Sequence, residues 1–465
     1  MLYVQLDRNN TLSLSKQVYL YIRKLILNGE LRGNEKLPSS RELASSLNIS
    51  RNVIINSYEQ LFAEGYIYTK SGSGSYVTNG VTLDRLPTES HPITTAIQET
   101  SDNLISFKTG IPDLSCIPTK KWGMLYKEIC YTMDTNKLDY QAALGMYELR
   151  KELCFLLYKN RGVICSPDDI IITTGAAQAF TLLCSLISEQ DYALVENPLS
   201  YGLYKTLIEN NVRVQPVEVD EHGMNLQDFP APPPKLIFLT PSHQFPSGGV
   251  LSIKRRTDLI KYARQNNIYI IEDDYDSEFR YNGAPIQSMQ SLSPENVIYV
   301  GTFSKTLMPS LRLGYMILPE VLKKQLLLKK YMADIHCPTI EQLTLAKFIR
   351  DDYYELHINK MRNLYLKKRN LLVKCLKNLF RDNVTIAGTN AGLHLVASFS
   401  RVTFDDKCMA KIKDNGVLIT PVRTHYIKDG EGTPTPYDNA LTFGYGNTSF
   451  EDIELGVKYL YNALK

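Results

Sequence analysis

A lysine set among small hydroxyl-bearing residues marks the chemistry of this chain. In Gly301-Thr302-Phe303-Ser304-Lys305-Thr306-Leu307-Met308-Pro309-Ser310-Leu311-Arg312, Lys305 stands three positions after Thr302 and seven before Arg312. A lysine amine condenses with an aldehyde to a Schiff base, the hydroxyls of Thr302 and Ser304 hydrogen-bond a phosphate, and the planar fork of Arg312 clamps it. Together these are the groups needed to hold pyridoxal 5'-phosphate (PLP). Further segments fit the same cofactor. Ile271-Glu272-Asp273-Asp274-Tyr275 ends an apolar run; the Asp273 carboxylate can keep a pyridine nitrogen protonated, and Tyr275 can reach the ring hydroxyl. Thr174-Gly175-Ala176-Ala177 follows another apolar run and opens a helix, where small residues admit a phosphate to the positive helix end. Taken alone, that Gly-Ala pair reads equally well as close helix–strand packing. Pro241-Ser242-His243-Gln244-Phe245-Pro246-Ser247-Gly248 caps a further strand with the polar groups of His243 and Gln244, and Tyr140 precedes a small-residue turn ending at Gly145.

These residues need elements to position them. Short apolar runs at 170–173, 192–195, 236–239, 269–271 and 297–300 alternate with helical stretches, which predicts an α/β domain with a largely parallel sheet over about 104–345. After about residue 340 the pattern changes to long charged helices, such as 352–380, and then to short strands near 392–399 and 440–444. This predicts a smaller α+β subdomain over 346–465. Residues 79–103 are polar and irregular, with Pro87 and Pro92, and read as an interdomain linker.

The first 78 residues carry a different pattern. Val18, Ile22, Leu25 and Ile26 lie at helical spacing within 13–28. Ser39-Ser40-Arg41-Glu42 reads as a capping box opening a helix to about Leu47, and Ser50 caps a third helix over 51–64, with Val53, Ile54, Tyr58, Leu61 and Phe62 expected inward. Tyr66-Ile67-Tyr68 and Ser75-Tyr76-Val77 flank a glycine-rich tip and predict a β-hairpin. Three helices and a hairpin make a winged helix-turn-helix. Arg51 and Asn52 open its recognition helix, where helix amides and an arginine meet phosphates and base edges in the major groove. Arg41 begins the preceding helix, and Lys70 with Gly72 can enter the adjacent minor groove from the wing.

Composition bounds the rest. The chain has 465 residues, 44% hydrophobic and 22% charged, with a net charge of +3, which calls for two or three ordinary globular domains. Eight cysteines are scattered without a C-x-x-C pair, so neither metal ligation nor a disulfide framework is expected. With no signal-peptide layout at Met1–Arg8 and no membrane-length apolar run, the expected location is the cytoplasm, on the nucleoid when DNA-bound.

The segment from Lys36 through Ser39, Arg41, Ser50, Arg51 and Asn52, with Ala63-Glu64-Gly65-Tyr66 and Gly74-Ser75-Tyr76-Val77 after it, resembles the GntR-type winged helix over the whole module. Residues 104–465 resemble fold-type-I aminotransferases. The joined architecture is similar to the MocR/GabR family of bacterial regulators, most closely in Thr240–Gly248, Ile271–Phe279 and Asn390–His394. The resemblance implies Lys305 as the aldimine lysine, Asp273 at the pyridine nitrogen and Tyr275 near the ring hydroxyl. It places Gly175, Ala176, Thr302 and Arg312 around the phosphate, with Tyr140 reaching it from a neighbouring subunit. It further implies a head-to-tail homodimer bound to double-stranded promoter DNA.

Three departures from that pattern bear on function. Asn197-Pro198-Leu199-Ser200-Tyr201 puts Ser200 at the usual ring-stacking position and Tyr201 one step late, which leaves the stacking residue open. Phe245 stands where many aminotransferases have an asparagine, so Tyr275 or Gln244 must compensate. In Phe443-Gly444-Tyr445-Gly446-Asn447-Thr448, Asn447 is read at the place of the arginine that clamps a substrate carboxylate, and an amide cannot form that bidentate ion pair. Arg423 is as readily its substitute as an ordinary surface residue. The expected function is therefore a PLP-binding regulator sensing a small molecule, with PLP itself as the signal in control of vitamin B6 metabolism, as in PdxR-type members. The alternatives are an amino-acid or amine effector that forms an external aldimine at Lys305, and an aminotransferase with an accessory DNA-binding module.

Overall fold

The computed structural model describes residues 6–8, 10–82, 104–226, 229–281, 283–428 and 433–465. The chain divides into two compact units, Met1–Glu99 and Thr100–Lys465. Most of the expected linker, residues 83–103, lies outside the described residues.

The N-terminal unit is built from α1 (Leu14–Leu27), α2 (Ser40–Leu47), α3 (Arg51–Ala63), β1 (Ile67–Lys70) and β2 (Gly74–Val77). Each helix begins at a serine whose hydroxyl accepts a backbone N–H: Ser13 from Lys16, Ser39 from Glu42 and Ser50 from Asn52. At α2 the capping box is complete, because the Glu42 carboxylate also accepts the Ser39 N–H at 2.9 Å. Val18, Ile22, Ile26, Leu43, Ile54 and Leu61 close one core with Ile67 and Val77. The hairpin is antiparallel with Ile67 opposite Val77 and Lys70 opposite Gly74. Its turn needs Gly72, whose φ of +74° is costly for a side chain. Phe62, expected inward, is 53% exposed. Leu61 already fills the core position, and the next residue is rotated by about 100° around the helix. The inward stripe instead contains buried Ser57, whose Oγ lies 2.8 Å from Ser15 O and ties α3 to α1. Removing the α2 cap with Ser39→Ala should destabilise this unit by about 1 kcal/mol, read as an earlier thermal transition of the N-terminal unit.

In the C-terminal unit, an eight-stranded sheet runs in the order β4-β11-β10-β9-β8-β5-β6-β7. Its strands are β4 (Ile170–Thr173), β5 (Ala193–Asn197), β6 (Val214–Asp220), β7 (Gly223–Met224), β8 (Leu236–Leu239), β9 (Tyr269–Asp274), β10 (Val297–Thr302) and β11 (Gly314–Ile317). The central pairs are parallel, whereas β11 is antiparallel to both neighbours. The five apolar runs seen in the sequence are β4, β5, β8, β9 and β10, buried on both faces as a covered parallel sheet requires. Helices α4 (Thr119–Thr132), α5 (Tyr147–Arg161), α6 (Ala176–Cys184), α7 (Tyr201–Glu209), α8 (Ile253–Asn266), α9 (Glu320–Asp334) and α10 (Thr339–Arg350) accompany it. The long α11 (Tyr353–Phe380) leads to β12 (Val384–Ala387), β13 (His394–Phe399), β14 (Val417–Leu418), β15 (Thr420–Pro421) and β16 (Ala440–Gly444), with α12 (Asp406–Asp414) and α13 (Phe450–Leu464). The sheet β12-β13-β16-β15 is antiparallel. A short β3 (Ile105–Ser106) pairs in parallel with β14, so the first described stretch of this unit is anchored to its last part. Among the described residues no helix is long and apolar enough to cross a membrane.

Candidate cofactor cavity and DNA-binding surface

Strand ends β4, β5, β8, β9 and β10 converge on a cavity of about 290 Å3 lined by Ala176, Glu196, Thr240, Asp273, Thr302 and Lys305, among others. Ligands in open α/β sheets sit at such carboxyl ends. The Lys305 Nζ lies 5.7 Å from the centre of the Tyr275 ring. Asp273 faces this amine with a buried Oδ1 that has no hydrogen-bond partner. Burial pushes its carboxyl up to about 7, against the opposing pull of Lys305. Tyr275 is held by a hydrogen bond from its hydroxyl to His243 O at 2.9 Å, and burial keeps its phenol well above the ordinary value, so it stays neutral with its oxygen left to accept.

The phosphate end is equally specific. The α6 helix begins at Gly175 without a side-chain cap, which leaves its first amides free for an anion. Gly175 has φ +98°, and a Cβ there would lie 3.2 Å from Arg312 Nη2. Arg312 donates to Thr174 O at 2.7 Å, and Thr302 Oγ1 lies 3.1 Å from Ser304 Oγ. Ala176 lines the cavity, while the side chain of Ala177 is exposed one position further along α6.

An orphaned buried carboxylate oxygen opposite a lysine, beside an uncapped helix start and an arginine, fits PLP. When bound, that group supplies an aldehyde and an electron-withdrawing ring. Lys305 would carry the aldehyde, Asp273 would hold the ring nitrogen, Tyr275 would meet the ring hydroxyl, and Gly175, Ala176, Ser304 and Arg312 would surround the phosphate.

Several expected site residues are placed elsewhere. Tyr201 opens α7, is 50% exposed and does not line the cavity, whereas Leu199 and Ser200 do. The turn of α7 carries its first side chain outward, so the aromatic walls are Phe180, Phe238 and Phe245. Gln244 is fully buried but spent on its own turn. Its Nε2 donates to Pro198 O at 2.8 Å and its Oε1 accepts from Ser247 N at 3.0 Å, so it is not available to a ring hydroxyl. His243 stands behind the cavity, with Nδ1 3.1 Å from Asp276 Oδ1, and positions Tyr275. Asn447 accepts from Leu114 N at 3.2 Å and lines a separate cleft with Ile105 and Asp452. Arg423 is ion-paired with Asp406 at 2.6 Å and also stays outside the cavity. Neither lines this cavity, and among the described residues no arginine does; Arg312 lies against Gly175 at its phosphate end. Tyr140 is 78% exposed, against His336 of its own chain.

Other cavity residues gave no local signal in the sequence. Thr109 and Gly110 come from the stretch just after β3, and a Cβ on Gly110 would lie 3.5 Å from Lys305 Cε. Glu196 ends β5, with Oε2 accepting from Thr240 N at 3.0 Å and Oε1 buried without a partner. Burial pushes its carboxyl up to about 7 as well. Both Glu196 and Asp273 thus titrate above their unfolded values of about 4. The stability they contribute is full below about pH 4 and is lost as pH rises through about 7. The thermal midpoint of the unliganded protein should fall between about pH 4 and pH 7, and Asp273→Asn should flatten that fall.

On the N-terminal unit, Arg51 and Asn52 are exposed at the start of α3, and Arg41 is exposed on α2. Arg51 Nε donates to Ser40 Oγ at 3.1 Å, which aims the guanidinium. Ser39 and Ser50 act as helix caps. Lys36 is exposed beside the wing, forming a bridge with Tyr76, and Lys70 lies 4.8 Å from the centre of the Tyr76 ring. This is a basic surface on a helix start and a wing, as major- and minor-groove contact requires.

Residues 14–77 match the family of bacterial regulatory proteins of the gntR family, and residues 111–433 match aminotransferase class I and II. The chain is 36% identical to the HTH-type transcriptional regulator YdeL of Bacillus subtilis, over 99% of this chain and 98% of that protein. It is 31% identical to the probable rhizopine catabolism regulatory protein MocR of Rhizobium meliloti, over 98% and 95% of the two chains. It is 30% identical to the HTH-type pyridoxine biosynthesis transcriptional regulator PdxR of Corynebacterium glutamicum, over 96% and 94%. Among solved structures, an archaeal alanine:glyoxylate aminotransferase superposes with a TM-score of 0.72 at 28% identity, covering 78% of this chain and 91% of that one. With a capped recognition helix at one end and an aminotransferase cavity at the other, the chain belongs to the HTH-type transcriptional regulators that join a GntR module to an aminotransferase class I and II domain.

Proposed function

We propose that this regulator binds PLP at Lys305 and that PLP itself is its signal, so that it controls vitamin B6 synthesis or salvage. The observation that carries the reading is a cavity whose residues fit PLP but offer no arginine on the wall for a second, carboxylate-bearing ligand. The likeness to PdxR, named for pyridoxine biosynthesis, supports the same choice. On this reading the protein works as a cytoplasmic homodimer on promoter DNA, with exposed Tyr140 completing the phosphate site of its partner. PLP acts by binding the two DNA-binding states with different affinity.

The test is binding of the unliganded protein to DNA upstream of its own gene and its neighbour, titrated with PLP. A PLP-dependent change in affinity or in the shape of the complex is expected. Unchanged DNA binding, despite a spectroscopically complete link to Lys305, would demote PLP to a fixed cofactor. An amine effector is the second reading, favoured by the unpartnered Glu196 Oε1 on the cavity side of β5. Transamination of α-amino acids is disfavoured by the missing carboxylate clamp.

A further inference from the structure

A second cavity, of about 400 Å3, opens between α5, the stretch after β9 and the start of α11, and it shares no lining residue with the PLP cavity. Two arginines face it without an anionic partner among the described residues. Arg280 makes no side-chain hydrogen bond there; its Nε and Nη1 are covered, which leaves Nη2 as the donor a ligand in the cavity can reach. Arg362 spends its guanidinium on neutral acceptors, Glu278 O at 2.9 and 3.0 Å and Asn359 Oδ1 at 2.9 Å. A third arginine, Arg161, is already neutralised by Asp274 at 2.8 Å. Of the acids on the wall, Glu355 is held by Lys159 at 2.7 Å. Glu278 accepts from the Tyr354 hydroxyl at 3.3 Å, and burial raises its carboxyl, so it repels an incoming anion less than an ordinary glutamate. The lining also includes the apolar side chains of Leu156, Pro285 and Ile358.

We propose that this cavity binds a small organic carboxylate, with its anionic end on Arg280 and Arg362 and its apolar body on Leu156, Pro285 and Ile358. The two oxygens of a carboxylate can each take a charge-assisted hydrogen bond, one from Arg280 and one from Arg362, and the apolar lining selects against inorganic phosphate. The site lies outside the PLP cavity yet touches it mechanically. Arg161 lines it and bonds Asp274, the residue after Asp273.

Isothermal titration of the full-length, PLP-saturated protein with sodium benzoate tests the site, with acetate and inorganic phosphate as the other arms. Benzoate is expected to bind once per chain, more tightly than acetate, with no measurable phosphate binding. Arg280→Met should weaken benzoate roughly tenfold or more, as loss of a charge-assisted contact does. Asn359→Asp, at an exposed position beside Arg362, should do the same by supplying a competing carboxylate without disturbing the core. Three results would overturn the proposal: no benzoate binding at about 10 mM, equal binding by both variants, or release of PLP by benzoate. Tighter binding of phosphate would overturn the carboxylate assignment. Should PLP itself fail to bind, the proposed function falls, while the same titration on the unliganded chain still tests this cavity.

Discussion

Asp273→Ala should weaken PLP binding by about 2–5 kcal/mol, at least thirtyfold in Kd, because a charged ring nitrogen would then be buried without its partner. The basis is the unpartnered Oδ1 and the elevated carboxyl, which show a group desolvated in advance of a cationic partner. Equilibrium titration of the unliganded variant with PLP checks it. A Kd within a few-fold of the parent would mean that the ring nitrogen lies elsewhere. Lys305→Ala makes the complementary cut. It should abolish the covalent link outright, seen as loss of the characteristic absorbance, while the α6 start and Arg312 retain a weaker, reversible affinity for the phosphate. If PLP is the signal, the DNA response of Lys305→Ala should survive at higher PLP concentration. If an amine or amino acid is the signal, the response should vanish, because such a ligand enters by displacing Lys305 from the PLP aldehyde.

Arg51→Ala is expected to cost about 1–3 kcal/mol of specific DNA binding, with relaxed sequence preference and a shallower salt dependence if a phosphate contact is lost too. The Arg51 guanidinium is exposed at the N-terminus of the recognition helix and aimed by Ser40 Oγ. Ser40→Ala should therefore weaken binding in the same direction but less, since only the orientation is lost. Fluorescence anisotropy on a promoter fragment at two salt concentrations separates the outcomes. Equal binding by Arg51→Ala and the parent would move the reading surface to Lys36, Lys70 and the wing.

The local signals were strong where one chemical rule decides. Serine caps set the starts of α1, α2 and α3, and continuous apolar runs set β4, β5, β8, β9 and β10. The sequence by itself also pointed to Lys305, Asp273, Tyr275, Gly175 and Arg312 as one chemical set; in the structure Asp273 and Tyr275 stand at the end of β9, Gly175 at the start of α6, and Lys305 and Arg312 in the connection from β10 to β11. What it could not decide was direction. Tyr201 and Phe62 each point outward because the residue before or beside them takes the inward place, and a one-residue step on a helix turns a side chain by about 100°. Gln244 and Asn447 were polar groups in the right neighbourhood, but their hydrogen bonds go to Pro198 and Leu114, partners remote in sequence. The antiparallel β11 opens on Gly314 and has no β-branched residue before Ile317, so its run did not declare itself. Only tertiary structure brought Thr109, Gly110 and Glu196 onto the wall beside Lys305, and only it set Arg280 and Arg362 on one cavity without an ion-pair partner among the described residues. Caps and strand runs are properties of neighbouring residues, whereas a cavity wall is assembled from chain ends that meet only when the sheet closes.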